Sequence, residues 1–150
     1  MSVQQNAQLV VLRKLVKGGL INGARADKLM REMTAKYAIK YGNASDSIMT
    51  LSGGNQQKVI IARWIASQPE VLLCDEPTRG IDVGAKAEVY EILRDISSRG
   101  IGIVLVSSEL PELLNLCDRI IVMHEGRITG ELTREEFSEE SVMRYAAAIG

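Results

Sequence analysis

The chain has 150 residues, 46% apolar and 25% charged, enough for one domain with its own core and an ordinary globular profile. Its formal net charge of −1 excludes the global basic field with which a protein grips nucleic acid or an anionic membrane. No run of about 18 apolar residues is available to span a bilayer, and the polar start Met1-Ser2-Val3-Gln4-Gln5-Asn6 lacks the basic opening of a signal peptide.

The first 42 residues read as helical. Gln8 to Val16 is apolar with basic insertions, and Gly18-Gly19 ends it. A second helix is expected from about Ala24 to Tyr41, because Ala26, Met30, Met33 and Tyr37 recur on one face. The polar run Gly42 to Asp46 breaks that pattern. Residues 1–50 are therefore expected to form a small helical subdomain.

From Leu51 the texture changes to alternating helix and strand. Gln56 to Ser67 reads as a helix and Val71 to Cys74 as a buried strand. Ala85 to Ser98 reads as a helix burying Val89, Ile92, Leu93 and Ile96, and Gly102 to Val106 as a second apolar strand. Burying those four side chains contributes roughly 1.5–3 kcal/mol each. Helices alternating with short apolar strands predict an α/β fold with a parallel, helix-covered sheet over residues 51–150. Ile120 to His124 and Arg127 to Glu131 flank Glu125-Gly126, a two-residue hairpin signal. The tail from Thr133 reads as one or two short helices, with Thr133–Glu136 and Ser138–Ser141 as caps. Cys74 and Cys117 lack metal-ligand spacing and are expected as reduced thiols in or near the core of a cytosolic protein.

Three segments carry candidate chemistry. In Leu51-Ser52-Gly53-Gly54-Asn55-Gln56-Gln57-Lys58, two glycines after a serine open a helix. Glycines let main-chain N–H groups approach an anion, and the helix N-terminus adds partial positive charge. With the Ser52 hydroxyl, this is a phosphate clamp; the plain alternative is a Ser-Gly-Gly helix cap. In Val71 to Thr78, an apolar strand ends in Asp75 and Glu76. Ligands of parallel sheets bind beyond the carboxyl ends of strands. Asp75 is placed to hold Mg²⁺ through water, and Glu76 to polarise a water that attacks a γ-phosphate. The plain alternative is a solvated acidic turn. In Arg79 to Lys86, Asp82 precedes a helix as an N-cap candidate.

Together these segments resemble the ATP-binding cassette (ABC) family. Leu51 to Gln57 looks like its signature motif, Val71 to Thr78 like its Walker B strand, and Gly80 to Gly84 like its D-loop. A finer resemblance is to bacterial carbohydrate importers, whose second cassette carries strings like those at Leu51, Asp75 and Ser107. The resemblance implies ATP and Mg²⁺ as cofactors. Leu51, Ser52, Gly53, Gly54, Asn55, Gln56, Asp82 and Ser108 would contact nucleotide, Asp75 would hold the metal and Glu76 would be catalytic. It also implies a second cassette, a membrane permease, a periplasmic sugar-binding protein, and import of a sugar such as ribose, galactose or xylose, with the chain on the inner face of the cell membrane.

Two features depart from that pattern. Nothing matches a P-loop, G-x-x-x-x-G-K-[ST]; Gly18 to Gly23 has the glycine spacing, but Ala24 and Arg25 follow. Ser108 occupies the position of the family's switch histidine, and a serine cannot do imidazole's work. The sole histidine, His124, is expected on the hairpin surface. The chain is therefore expected to be the C-terminal part of a cassette, inactive alone, completed by its N-terminal half or by a second cassette. A non-catalytic dimerisation remnant is the alternative, and isolation is expected to expose apolar sheet surfaces that favour a homodimer.

Overall fold

The computed structural model describes residues 1–17 and 19–147. It divides into two compact units, Met1–Leu73 with Pro77–Val104 and Cys74–Glu76 with Leu105–Gly150.

The first unit is dominated by helices. Helix α1 (Val3–Gln8) starts with a capping box between Ser2 and Gln5, which satisfies two otherwise orphaned donors. The single helix expected over Gln8 to Val16 is instead broken. A 3₁₀ turn (Leu9–Val11) leads into a four-residue helix α2 (Leu12–Leu15) and then into strands β1 (Val16–Lys17) and β2 (Leu20–Ile21). These two strands pair antiparallel, Val16 with Ile21 and Lys17 with Leu20. β-Branched residues at positions 10, 11 and 16 lose rotamer freedom in a helix, which favours the break. Gly18, expected to help end the helix, lies outside the described residues.

Helix α3 (Gly23–Tyr37) buries Ala26, Met30, Met33 and Tyr37, the expected face. It stops short of Tyr41 because Ala38 turns left-handed, with φ 48° and ψ 44°. Helix α4 (Gly53–Ile65) and helix α5 (Val83–Ser98) begin three and two residues earlier than expected, immediately after the caps Ser52 and Asp82. Val89, Ile92, Leu93 and Ile96 are all buried, as their spacing requires. Helix α1 packs on α3 and α4, and α4 packs on α3 and α5.

Strands β3 (Val71–Asp75) and β4 (Gly102–Val106) pair. Gly102 N–H donates to Glu70 O, and further along both strands Glu76 N–H donates to Val106 O. Partners that advance together make the pairing parallel, as expected. The expected full burial of β3 is corrected: Leu72 and Cys74 are buried, while Val71 and Leu73 on the alternate face are exposed.

In the second unit, β5 (Arg119–His124) and β6 (Arg127–Thr133) form the expected hairpin. Glu125 and Gly126 both take positive φ, 47° and 76°, as a two-residue turn with the right strand twist demands. Helix α6 (Leu110–Leu116) and helix α7 (Glu139–Ala146) complete the unit. Ile120, Val122, Leu132 and Val142 form its core, with Leu113, Leu114 and Phe137 packed around them. The tail caps are as read: Thr133 and Glu136 make a capping box, and Ser138 accepts from Ser141 N–H. His124, half-buried, ends β5 opposite Arg127. Both cysteines are free. Burial, reinforced by the charge of Glu112, pushes the Cys74 thiol up to about 11, and burial also raises Cys117.

Candidate functional site

The signature-like segment sits at the start of α4. Ser52 caps the helix, its Oγ accepting a long bond from Asn55 N–H at 3.4 Å and a stronger one from Asn55 Nδ2 at 2.9 Å. Asn55 Oδ1 accepts from the Lys40 main-chain N–H at 2.8 Å. Gln56 Nε2 donates to Leu51 O at 2.9 Å, closing the loop on itself.

The two glycines have a packing reason that the sequence did not disclose. A Cβ on Gly54 would lie 2.5 Å from the Ala85 Cβ, and one on Gly53 would lie 3.2 Å from Ile81 Cγ2. The start of α4 thus presses directly against the segment that opens α5. That segment is capped by Asp82, whose Oδ1 accepts from Ala85 N–H at 2.9 Å. Ser52, Gly54, Asn55, Lys40, Asp82 and Gly84 face a common cleft of about 220 Å³. Lys58, Ala85 and Glu88 complete its lining, so its walls combine a positive helix terminus and two lysines with the Asp82 and Glu88 carboxylates.

Lys58 was not singled out from the sequence. Its side chain is only 3% exposed, and its ammonium donates to Glu88 Oε2 on α5 at 2.7 Å and to Ala38 O at 2.8 Å. That ion pair holds the Glu88 carboxyl below its ordinary range. A signal was available: residues 54, 58, 61, 62 and 65 share the buried face of α4, so a lysine at 58 had to be buried and paired.

The second unit holds the carboxylate pair. Asp75 ends β3 and is exposed. Glu76 has the left-handed φ of 46°, a conformation that costs a non-glycine residue roughly 1–2 kcal/mol. Two bonds hold it there. Its N–H donates to Val106 O, and its Oε1 accepts from Ser108 N–H, both at 2.8 Å. Position 108 thus supplies a main-chain donor to Glu76, not an imidazole. The fold gathers Leu51, Ser52, Gly53, Gly54, Asn55, Gln56 and Asp82 within one unit, and Asp75, Glu76 and Ser108 within the other. Among the described residues, no three His, Cys, Asp or Glu side chains converge as a metal-ligand group.

Comparison with known proteins gives these positions a context. The ABC transporter family model matches residues 1–79. The chain is 49% identical over 150 residues to the ribose import ATP-binding protein RbsA 2 of Streptomyces avermitilis, covering 100% of this chain and 29% of that protein. It is 51% identical over 146 residues to RbsA of Caldanaerobacter subterraneus and 47% to the xylose import protein XylG of Geobacillus kaustophilus, covering 97% of this chain and 29% of each. The chain thus spans under a third of the length of these curated relatives. Among solved structures, a metal-chelate type ABC transporter in an inward-facing conformation superposes with TM-score 0.83 at 17% identity, over 99% of this chain and 58% of that one. The dimeric ATP-binding cassette MJ0796 with ADP and Pi gives 0.75 at 24% identity, over 91% and 58%. At such identities these likenesses establish the fold alone, a cassette fold with a parallel sheet, whereas the family model and the full-chain relatives establish descent. This chain belongs to the ABC transporter family and carries part of its ATPase domain.

Proposed function

We propose that this chain supplies the signature segment and the Walker B carboxylates to an ATP-hydrolysing cassette pair that drives sugar import. The observation that carries this reading is the exposed Ser52 cap at the start of α4, beside the Asp82 cap of α5 in one polar cleft. A helix N-terminus with a hydroxyl at its cap binds phosphate oxygens. Relatives that match 97% or more of the chain include ribose and xylose import ATP-binding proteins, which supports sugar as cargo.

On this reading Ser52 and the first N–H groups of α4 meet the phosphates of ATP held by the P-loop of a second cassette. Residues 1–50 form the helical subdomain that carries this segment toward it, and residues 51–150 belong to the ATPase core. Asp75 would hold Mg²⁺, which supplies charge neutralisation at the phosphates. Glu76, fixed by one bond to the end of β4 and one to Ser108 beyond it, would orient a water as general base. A permease subunit at the membrane's inner face and a sugar-binding protein outside complete the import system.

The test is hydrolysis by the chain mixed with a P-loop-bearing cassette. Ser52→Arg is expected to abolish turnover by filling the phosphate position, whereas Glu76→Gln is expected to cost less, because Ser108 offers no imidazole on that side. The reverse ranking would sink this assignment. A second reading, a dimerisation module without turnover, is favoured by that same Ser108; under it, no P-loop partner restores hydrolysis.

A further inference from the structure

We propose that Asn55 is a positioning residue that makes the Ser52 hydroxyl an obligate donor toward the bound anion; this rests on the reading that Ser52 meets a nucleotide phosphate. The orientation of an amide side chain is fixed only by its partners. Here the Lys40 main-chain N–H, which can only donate, lies 2.8 Å from one end of the Asn55 amide. That end must be the carbonyl oxygen, so the NH₂ end faces Ser52, 2.9 Å from its Oγ.

A serine hydroxyl has two acceptor lone pairs and one proton. Asn55 occupies both acceptor positions of Ser52, the first with its side-chain amide and the second with its main-chain N–H. Ser52 is exposed, and the hydrogen bonds at its Oγ among the described residues are the two it accepts from Asn55. The hydroxyl is left with one remaining function, donation outward into the cleft. A phosphate oxygen accepts and cannot donate, so a hydroxyl already committed to donation spends no rotational freedom when the anion arrives.

The frame behind Asn55 is the turn at Ala38. Its left-handed conformation presents Ala38 O to the buried Lys58 ammonium and, two residues later, Lys40 N–H to Asn55. The same short segment therefore anchors α4 at two points and dictates the polarity of the Asn55 amide. Aspartate at position 55 would keep the bond to Lys40 but could only accept from Ser52, drawing the hydroxyl proton inward.

The experiment measures ATP hydrolysis by the chain assembled with a P-loop-bearing cassette. Asn55→Ala and Asn55→Asp are each made alone and in a Ser52→Ala background. Losing a hydrogen bond to a charged group corresponds to about 10- to 100-fold, so Ser52→Ala is expected to raise the KM for ATP by about that factor. Asn55→Ala should raise it about 3- to 10-fold with intact Ser52 and less than twofold in the Ser52→Ala background, the signature of action through Ser52. Asn55→Asp should lose more than Asn55→Ala, and the excess should shrink once Ser52 is gone. Equal effects of Asn55→Ala in both backgrounds would overturn the proposal and assign Asn55 to scaffolding of Lys40. A Ser52→Ala variant indistinguishable from the parent would overturn the underlying reading as well. So would an assembly of the parent chain with no hydrolysis.

Discussion

Gly54 shows how one missing side chain fixes two helices. Intrinsic propensity favours alanine over glycine inside a helix by up to about 1 kcal/mol. Against this stands a Cβ–Cβ approach of 2.5 Å to Ala85, which no pair of real side chains tolerates without a shift of backbone. Overpacking of this kind costs about 1–3 kcal/mol, so steric conflict wins. Gly54→Ala is expected to lower the urea unfolding free energy by about 1–2 kcal/mol, and Ala85→Gly added to it should return most of the loss. Stabilisation by the single change would show that α4 and α5 separate freely. The local string shows that glycines belong here and points to an anion as the reason. A partner helix cannot be seen in a local string, because Ala85 lies 31 positions away. Glu76 is the complementary case. Its carboxylate was legible at a strand end, but its left-handed backbone and its bond to Ser108 N–H depend on β4.

Between elements, the link that most distinguishes α4 is Lys58. A buried ammonium is tolerated only when paired, and Glu88 on α5 and the end of α3 supply the partners. The hydrogen bond from Lys58, then its charge, lowers the Glu88 carboxyl from 4.5. A lowered folded-state value means that this contribution is complete above pH 4.5 and is lost as pH falls below it. Glu88 is half exposed, so solvent screening limits the contribution to about 0.5–1 kcal/mol. Glu88→Gln is therefore expected to lower stability at pH 7 by about that amount and to flatten its fall between pH 5 and pH 3, roughly the window of a carboxylate, in urea midpoints taken across the range. An unchanged acid dependence would remove Glu88 from the account. Element types were read best where chemistry was local. Glu125-Gly126 specified its hairpin, and the three- and four-residue spacings in α3 and α5 specified their buried faces. The β1–β2 hairpin escapes periodicity because two-residue strands carry no period, and the seven-residue α6 because the string that begins at Ser107 is matched as a family motif and not read for helical spacing.

For the molecule as a whole, the decisive quantity is the apolar surface left uncovered on the parallel strands. Val71 and Leu73 on β3 are 55% and 76% exposed, and Val104 and Val106 on β4 are 52% and 55% exposed. Strands of parallel sheets are ordinarily covered on both faces, and contiguous apolar patches drive association. The sequence predicted apolar strands correctly; which face would find cover depends on chain that periodicity cannot represent, and the relatives are more than three times longer. The isolated chain is expected to pair with a second copy through this surface, giving a concentration-dependent dimer in sedimentation velocity. Leu73→Lys places a charge on the most exposed of these side chains. An exposed substitution of this sort ordinarily changes stability by no more than about 0.5 kcal/mol, so the variant should stay folded and shift the population to monomer. Ile121→Lys, a comparably exposed site on the β5–β6 hairpin, serves as the control and should leave the dimer intact. A parent chain that sediments as a monomer at all concentrations would show that this face needs no cover. Loss of the dimer in both variants would trace association to net charge instead of to the strands.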